Sequence, residues 1–230
     1  MTQFLTFLVP QGAEYQAVCR GLRALPRTNV VPLPVGPEPV TTFLKEWCDT
    51  QPQTPVVVMG LCGSLSPGLG LGISVLYRDC FDGRNAETIP LTFDEPLTSS
   101  LAKSLGLSVT EVTGVSCDRI IHLASEKRSL AKTYRADVVD MEGFAALEIL
   151  QKHHIPTAML RVVSDDVHHD LPDLSAAISP AGKLQVVPMV LGMMRQPFGA
   201  IRLIRGSLKG LKVLEQLAQS LAKAAAETGP

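Results

Sequence analysis

The sequence predicts an α/β fold in which a mixed, mostly parallel sheet is flanked by helices, and three observations carry that prediction. Short apolar runs of strand length alternate with segments of helical periodicity from Phe4 to Asp166. Parallel strands need crossover connections, and the helical segments supply them. The chain has 230 residues, of which 46% are hydrophobic and 19% charged, enough apolar matter for one sizeable core and too little charge for a disordered chain.

Taken in order, the apolar run 4–9 reads as a buried strand and 14–25 as a helix stopped by Pro26. Pro32, Pro34, Pro37 and Pro39 make the next stretch extended and irregular, because proline also pushes the residue before it out of the helical region. A short helix over 40–48 follows. Residues 55–60, three valines behind a proline, form the clearest strand, which empties into a glycine-rich loop from Leu61 to Gly68. A strand over 73–77 leads into a polar loop that ends at Asp94. Helix 97–105, strand 108–115, helix 125–134, strand 136–141, helix 142–153 and strand 156–163 then alternate, the last ending in Ser164, Asp165 and Asp166. From Ala181 the pattern is helical, broken at Gln196 and Pro197. No repeat or linker divides the chain, so one domain over 1–230 is expected, with a helical extension over about 181–225.

Charge and cysteine usage exclude several classes. With 21 basic and 22 acidic residues the net charge is −1, so no global positive field is available to hold nucleic acid. The start lacks a basic region and Pro10 cuts its apolar run short. The later apolar stretch 186–194 is interrupted by Pro188 and stopped by Arg195, too short to span a bilayer. Cys19, Cys48, Cys62, Cys80 and Cys117 are odd in number and never spaced C-x-x-C, which argues against a disulfide framework and a zinc knuckle. A cytoplasmic protein is expected, with no metal and no organic cofactor. His168, His169 and Asp170 lack a further partner at ligand spacing and read as a polar loop. Gly60-x-x-Gly63 is not the G-x-G-x-x-G of a dinucleotide site.

Three acids follow predicted strands: Glu14, Glu142 and Asp165. Ligands of such sheets bind beyond the carboxyl ends of strands, where Gly63, Ser116, Glu142 and Asp165 would gather. Each acid alone also fits a helix N-terminal or solvated loop position; together they suit acid–base chemistry. Glu142, in the first turn of its helix, is kept ionised by the helix dipole and can accept two adjacent hydroxyls. Asp165 closes an apolar strand, where partial burial raises its pKa toward that of a proton donor.

The segments Val56 to Leu65, Ala136 to Gly143 and Ile155 to Asp165 stand in the order found in the nucleoside phosphorylase superfamily, which includes methylthioadenosine/S-adenosylhomocysteine nucleosidases. The chain resembles that superfamily over most of its length, most specifically in Met141-Glu142 followed by Arg161-x-x-Ser164-Asp165. The resemblance implies a nucleoside phosphorylase-like fold, a homo-oligomer, and cleavage of the N-glycosidic bond of a purine nucleoside, a 5′-substituted adenosine that loses adenine. It makes Glu142 the acceptor of the ribose 2′ and 3′ hydroxyls, with Met141 packed on the sugar. Asp165 becomes the acid that protonates the purine at N7, and Glu14 the base that activates water. Gly63, Ser64, Ser116, Ile120 and Ser164 are the remaining substrate-binding candidates. Residues 166–172, 180–183 and 195–197 are similar to the hopanoid-associated branch, for which an adenosyl-hopane substrate is implied.

Departures from the family pattern bear on the acceptor. Gly60-Leu61-Cys62-Gly63 lacks the hydroxyl the family places near phosphate or water, with Ser64 the nearest substitute, and Ile120 stands where the family has an aromatic that stacks on the base. Arg20, Arg78 and Arg119 are the candidates for a phosphate cradle, and each also suits an ordinary surface ion pair. Hydrolysis is therefore favoured over phosphate-dependent phosphorolysis. A nucleoside-binding protein without turnover is the alternative that Leu61 and Ile120 suggest.

The last helix carries a further pattern. Ile201, Ile204, Leu208, Leu211 and Leu214 recur every three or four residues, with Arg202, Arg205, Lys209 and Lys212 one step round. This fits a core-packed helix with a basic edge, or a helix resting on an anionic membrane. Lys183 and Arg195 add to the basic end, and the valines, leucine and methionines of 186–194 would form an apolar wall for a large 5′ group.

Overall fold

The computed structural model describes residues 5–24, 28–50, 54–85, 87, 89–106, 109–177, 179 and 185–227. Phe4, Leu25, Pro26, Ser108, Pro180, Ala181, Gly182 and Lys183, on which parts of the expectations above rest, lie outside the described residues. The chain runs β1 (Thr6–Pro10), α1 (Ala13–Gly21), β2 (Asn29–Leu33), α2 (Pro37–Thr50), β3 (Val56–Ser64), β4 (Ser74–Asp82) and β5 (Leu91–Thr92). It continues through α3 (Glu95–Leu105), β6 (Val109–Ser116), α4 (Ala124–Tyr134), β7 (Val138–Asp140), α5 (Gly143–Lys152), β8 (Thr157–Asp165), α6 (Val186–Arg195) and α7 (Pro197–Glu227).

Strand periodicity of two builds the layers. On β1 and β3, Leu8, Val56 and Val58 face a core shared with Leu44 and Trp47 of α2 and Phe144, Leu147 and Leu150 of α5. Their neighbours Phe7, Val9, Val57 and Met59 face the opposite core, closed by Val18 of α1, Leu101 of α3 and Leu214, Leu217 and Leu221 of α7. Both faces of the central strands are thus buried, which is why they read as unbroken apolar runs.

The sheet is mixed, with five parallel and three antiparallel pairings among the described residues. The order is β2-β1-β3-β7-β6-β4-β5, and β8 pairs with both β3 and β4, so β3, β7, β6, β4 and β8 close into a ring. Several boundaries differ from those expected. Leu61 to Ser64 are the end of β3 rather than a loop, because Leu61 and Cys62 pair with Val162 and Val163 of β8 and Gly63 and Ser64 pair with Val139 and Val138 of β7. Pro32 lies inside β2, beside Val9, and is tolerated because β2 is the outermost strand of its side. Helix α2 begins at Pro37 rather than Val40, since a first-turn proline loses no helical hydrogen bond. Strand β4 runs on to Asp82, held by β6 beyond the predicted end at Tyr77. Among the described residues no helix is long and apolar enough to cross a membrane.

Candidate active site

The two glycines of Gly60-x-x-Gly63 are clearances across β3. A β-carbon at Gly60 would lie 2.0 Å from Nη1 of Arg161 and 2.9 Å from Oε1 of Glu14. At Gly63 it would lie 2.9 Å from Oδ1 of Asp165. Each glycine is therefore the space in which a charged side chain from a neighbouring element rests. Register makes the second approach: Cys62 pairs with Val163 but Gly63 pairs with Asp165, so Ser164 is an extra residue in β8. Such a bulge re-aims the side chain that follows it.

Glu14 (first turn of α1), Met141 and Glu142 (the β7–α5 turn), Gly63 (β3), Ile120, and Ser164 and Asp165 (β8) all line one cavity of about 240 Å³. The residues singled out in sequence thus meet, with two exceptions. Ser64 does not line it; its Oγ donates to the Ser66 carbonyl at 2.7 Å and accepts from the Ser66 amide. Ser116 is equally occupied, its Oγ donating to Asp140 and accepting the Phe144 amide at 2.8 Å. A second cavity of about 360 Å³ shares Val35, Arg119, Ile120 and Met141 with the first, so the two form one cleft.

Helix α5 shows why Glu142 reaches the cavity. Its free N-terminal amides are met by other residues: Oδ1 of Asp140 accepts from Gly143 at 3.1 Å and Ser116 from Phe144. Glu142 itself is the N-cap residue and makes no side-chain cap bond. Instead Arg161 Nη2 donates to its Oε2 at 3.0 Å and the Gly36 amide donates to Oε1 at 3.4 Å. The expectation that the helix dipole governs Glu142 gives way to a different balance, in which burial raises its pKa and the arginine opposes that rise.

Arg161 organises the site's charge. It is fully buried, ion-paired to Glu142 and within 3.5 Å of Asp140. A third carboxylate, Glu14, lies in the same field, its Oε1 accepting the Leu61 amide. One cation cannot neutralise three carboxylates. Burial, with the charges of Glu142 and Asp140, pushes Glu14 up to about 7 against the opposing pull of Arg161. That value suits a general base at neutral pH.

Asp165 has a different partner. Lys127 of α4, with no exposed surface, donates to Oδ1 of Asp165 and, at 2.7 Å, to the carbonyl of Asp166. Ser164 Oγ donates to Oδ2 at 3.1 Å. Burial raises the pKa of Asp165, and Lys127 and Ser164 restrain the rise. Cys62 also lines the cavity, but burial holds its thiol well above the usual range, so it presents no thiolate.

The sequence matches the model of the phosphorylase superfamily over residues 35–179, more than half of the chain. The chain belongs to the phosphorylase superfamily. No curated protein matches it. Among solved structures it is similar to the 5′-methylthioadenosine/S-adenosylhomocysteine nucleosidase of Helicobacter pylori, with TM-score 0.72 and 16% identity over 96% of this chain and 98% of that one. It is similar to the futalosine hydrolase of the same organism, with TM-score 0.72 and 16% identity over 96% and 99% of the two chains. The nucleosidase of S. pneumoniae follows at TM-score 0.71 and 12% identity, covering 96% and 98%. At such identities the likeness establishes the shared fold.

Within this superfamily member, residues that sequence reasoning did not assign to the site complete it. Arg161 stood in the quoted motif, and its place inside an apolar strand was the available signal, since a strand arginine that is fully buried must be paired. Lys127 gave none, lying on a charged helix 38 residues from Asp165. Arg20, Arg78 and Arg119 form ion pairs with Glu215, Asp79 and Glu126, and of the three Arg119 lines the cavity. The apolar wall expected from 186–194 does not border the cavity, because Val186, Val187, Val190, Leu191 and Met194 face solvent; Leu203 of α7 borders it instead. In the polar loop, His169 bonds Asp166, and Asp170 accepts the Ala124 amide at 2.7 Å.

Proposed function

We propose that this protein hydrolyses the N-glycosidic bond of a purine nucleoside, releasing adenine from an adenosine substituted at its 5′ carbon. The observation that carries the reading is the convergence of Glu14, Glu142 and Asp165 from three separate elements on one cavity, the first two in the field of Arg161 and the third paired with Lys127. As the bond to the base breaks, the sugar becomes oxocarbenium-like and the purine needs a proton. Asp165, when protonated, gives that proton to N7. Glu14, ionised above about pH 7, takes one from the attacking water. Glu142, oriented by Arg161, keeps lone pairs free for the 2′ and 3′ hydroxyls, because each carboxylate oxygen can accept twice. Met141 and Ile120 supply apolar walls.

Charge favours water as the acceptor. Four carboxylates, Glu14, Asp140, Glu142 and Asp165, line the cavity, and its lining cation, Arg119, is already paired with Glu126. A phosphate brought to this place would meet repulsion that Arg119, held by Glu126, does not offset. The adjoining cavity, which begins at Met141, gives room for a 5′ group beyond the ribose. The solved neighbours are named for methylthioadenosine, S-adenosylhomocysteine and futalosine, and the similarity of residues 166–172 to the hopanoid-associated branch puts adenosyl-hopane beside them as a substrate.

Adenine release from a panel of 5′-substituted adenosines tests the reading. Release is expected, with Asp165→Asn slower by ~10²–10⁴ and still folded, as for loss of a general acid. Binding of these nucleosides in calorimetry with no adenine formed by the intact protein would instead establish the nucleoside-binding protein that Ile120 and Leu61 suggest.

A further inference from the structure

Eleven large hydrophobic side chains are exposed among the described residues, and nine of them lie on α6 and the first half of α7. Val187, Met194, Phe198 and Leu208 are 70%, 73%, 78% and 63% exposed, and Ile201 and Ile204 are half open to solvent. Scattered single hydrophobics are ordinary on a surface, but this concentration on two consecutive helices is not. The inward side of the same helices packs closely at two glycines. A β-carbon at Gly192 would meet the Asp173 carbonyl oxygen at 2.6 Å, and one at Gly206 the Ser164 carbonyl oxygen at 1.9 Å. The helices therefore cannot roll to hide their outer side chains without losing that packing.

Charge says what covers this surface. Residues 185–214 hold Arg195, Arg202, Arg205, Lys209 and Lys212 and no acid, in a chain whose net charge is −1. Arg202, Arg205, Lys209 and Lys212 are exposed beside the apolar row. A second copy docked face to face would set two such cationic rows against each other, and residues 185–214 bring no acid of their own to offset them. An anionic lipid surface satisfies both halves of the pattern, since apolar side chains enter the boundary of the acyl region while the cations meet headgroup phosphates. We propose that α6 and the first half of α7 form a peripheral docking surface for an anionic bilayer. Leu203, on the same stretch of α7, lines the catalytic cavity, so docking holds the cleft close to the lipid boundary. The surface stands on its own observations, whatever the reaction.

Flotation of the full chain with phosphatidylcholine vesicles, alone or containing phosphatidylglycerol, tests it. The intact chain should rise with the anionic vesicles at low salt, stay behind with the neutral ones, and be released at high salt as screening shortens the reach of its charges. Arg202→Glu/Arg205→Glu and Phe198→Ser/Ile201→Ser should each lower the bound fraction by roughly tenfold or more, with the circular dichroism spectrum unchanged. An intact chain that stays at the bottom of the gradient with anionic vesicles at low salt overturns the proposal. So do variants that float as well as the parent. Sedimentation showing an assembly that Phe198→Ser/Ile201→Ser dissociates, with no flotation of the parent, would assign the face to another protein surface and equally refute it.

Discussion

Glu14 owes its proton affinity first to burial and then to the charges of Glu142 and Asp140, against the pull of one buried guanidinium. Its pKa near 7 makes two predictions with opposite signs for activity and stability. The proposed hydrolysis uses Glu14 as its ionised base, so kcat/KM should rise with pH through about 7, and Glu14→Gln should remove that limb along with most of the turnover. Stability runs the other way. The folded protein holds a proton on Glu14 that the unfolded chain releases near 4.5, so its contribution falls as pH rises from about 4.5 to 7. Glu14→Gln, which keeps an acceptor for the Leu61 amide, should therefore be more stable than the parent above pH 7, by on the order of 2 kcal/mol in urea titrations. For Asp165 the decisive neighbour is Lys127, which favours the charged carboxylate. Lys127→Met should move the descending limb of kcat to higher pH, because the proton donor stays protonated longer; an unmoved limb would leave Lys127 as packing alone. The three acids were legible in the sequence because each follows an apolar strand. Their cations were not, since ion pairing across 19 residues for Arg161 and 38 for Lys127 depends on which elements the fold makes neighbours.

At the scale of elements, glycine placement decides what the strands can carry. Gly63→Ala should push the Asp165 carboxylate off its position and lower kcat by ~10-fold or more, since a misplacement of about 1 Å can cost 10²-fold. Gly206→Ala sets a methyl group against the Ser164 carbonyl oxygen and should cost about 1–3 kcal/mol as α7 is forced from β8. Gly70→Ala, whose added carbon meets nothing within 4 Å, is the control and should change neither activity nor melting temperature. The end of β3 was unreadable from local signals. Gly60, Gly63, Pro67 and Gly68 are loop chemistry by propensity, and only pairing with β7 and β8, brought from far along the chain, keeps Leu61 to Ser64 extended. The helix start at Pro37 was missed for a milder reason, because a run of prolines reads as extended although a proline in the first turn is compatible with a helix.

Across the whole molecule, alternation of apolar strands and helices was enough to read the layers and the mixed sheet, whereas closure of β3, β7, β6, β4 and β8 into a ring was not. That closure rests on β8 pairing with β3 and β4 at once, and no periodicity encodes a strand's second neighbour. Helix α7 shows the same limit within one element: its apolar stripe is regular, yet Leu214 is fully buried against α1 and the sheet while Leu208, six residues earlier, is 63% exposed. Leu214→Ala should cost about 2–5 kcal/mol in chemical denaturation, and Leu208→Ala should stay within about 0.5 kcal/mol of the parent. The ring's ends bring the acids of α1, β8 and the β7–α5 turn to one cavity, where the proposed hydrolysis has water attack the sugar. It is tested most directly by following adenine release from 5′-methylthioadenosine, as phosphate is titrated into protein and buffer first stripped of it. Hydrolysis requires turnover at zero phosphate, a rate independent of added phosphate, and a free reducing sugar as the second product. A rate that starts at zero, saturates with phosphate and yields the sugar 1-phosphate would contradict it.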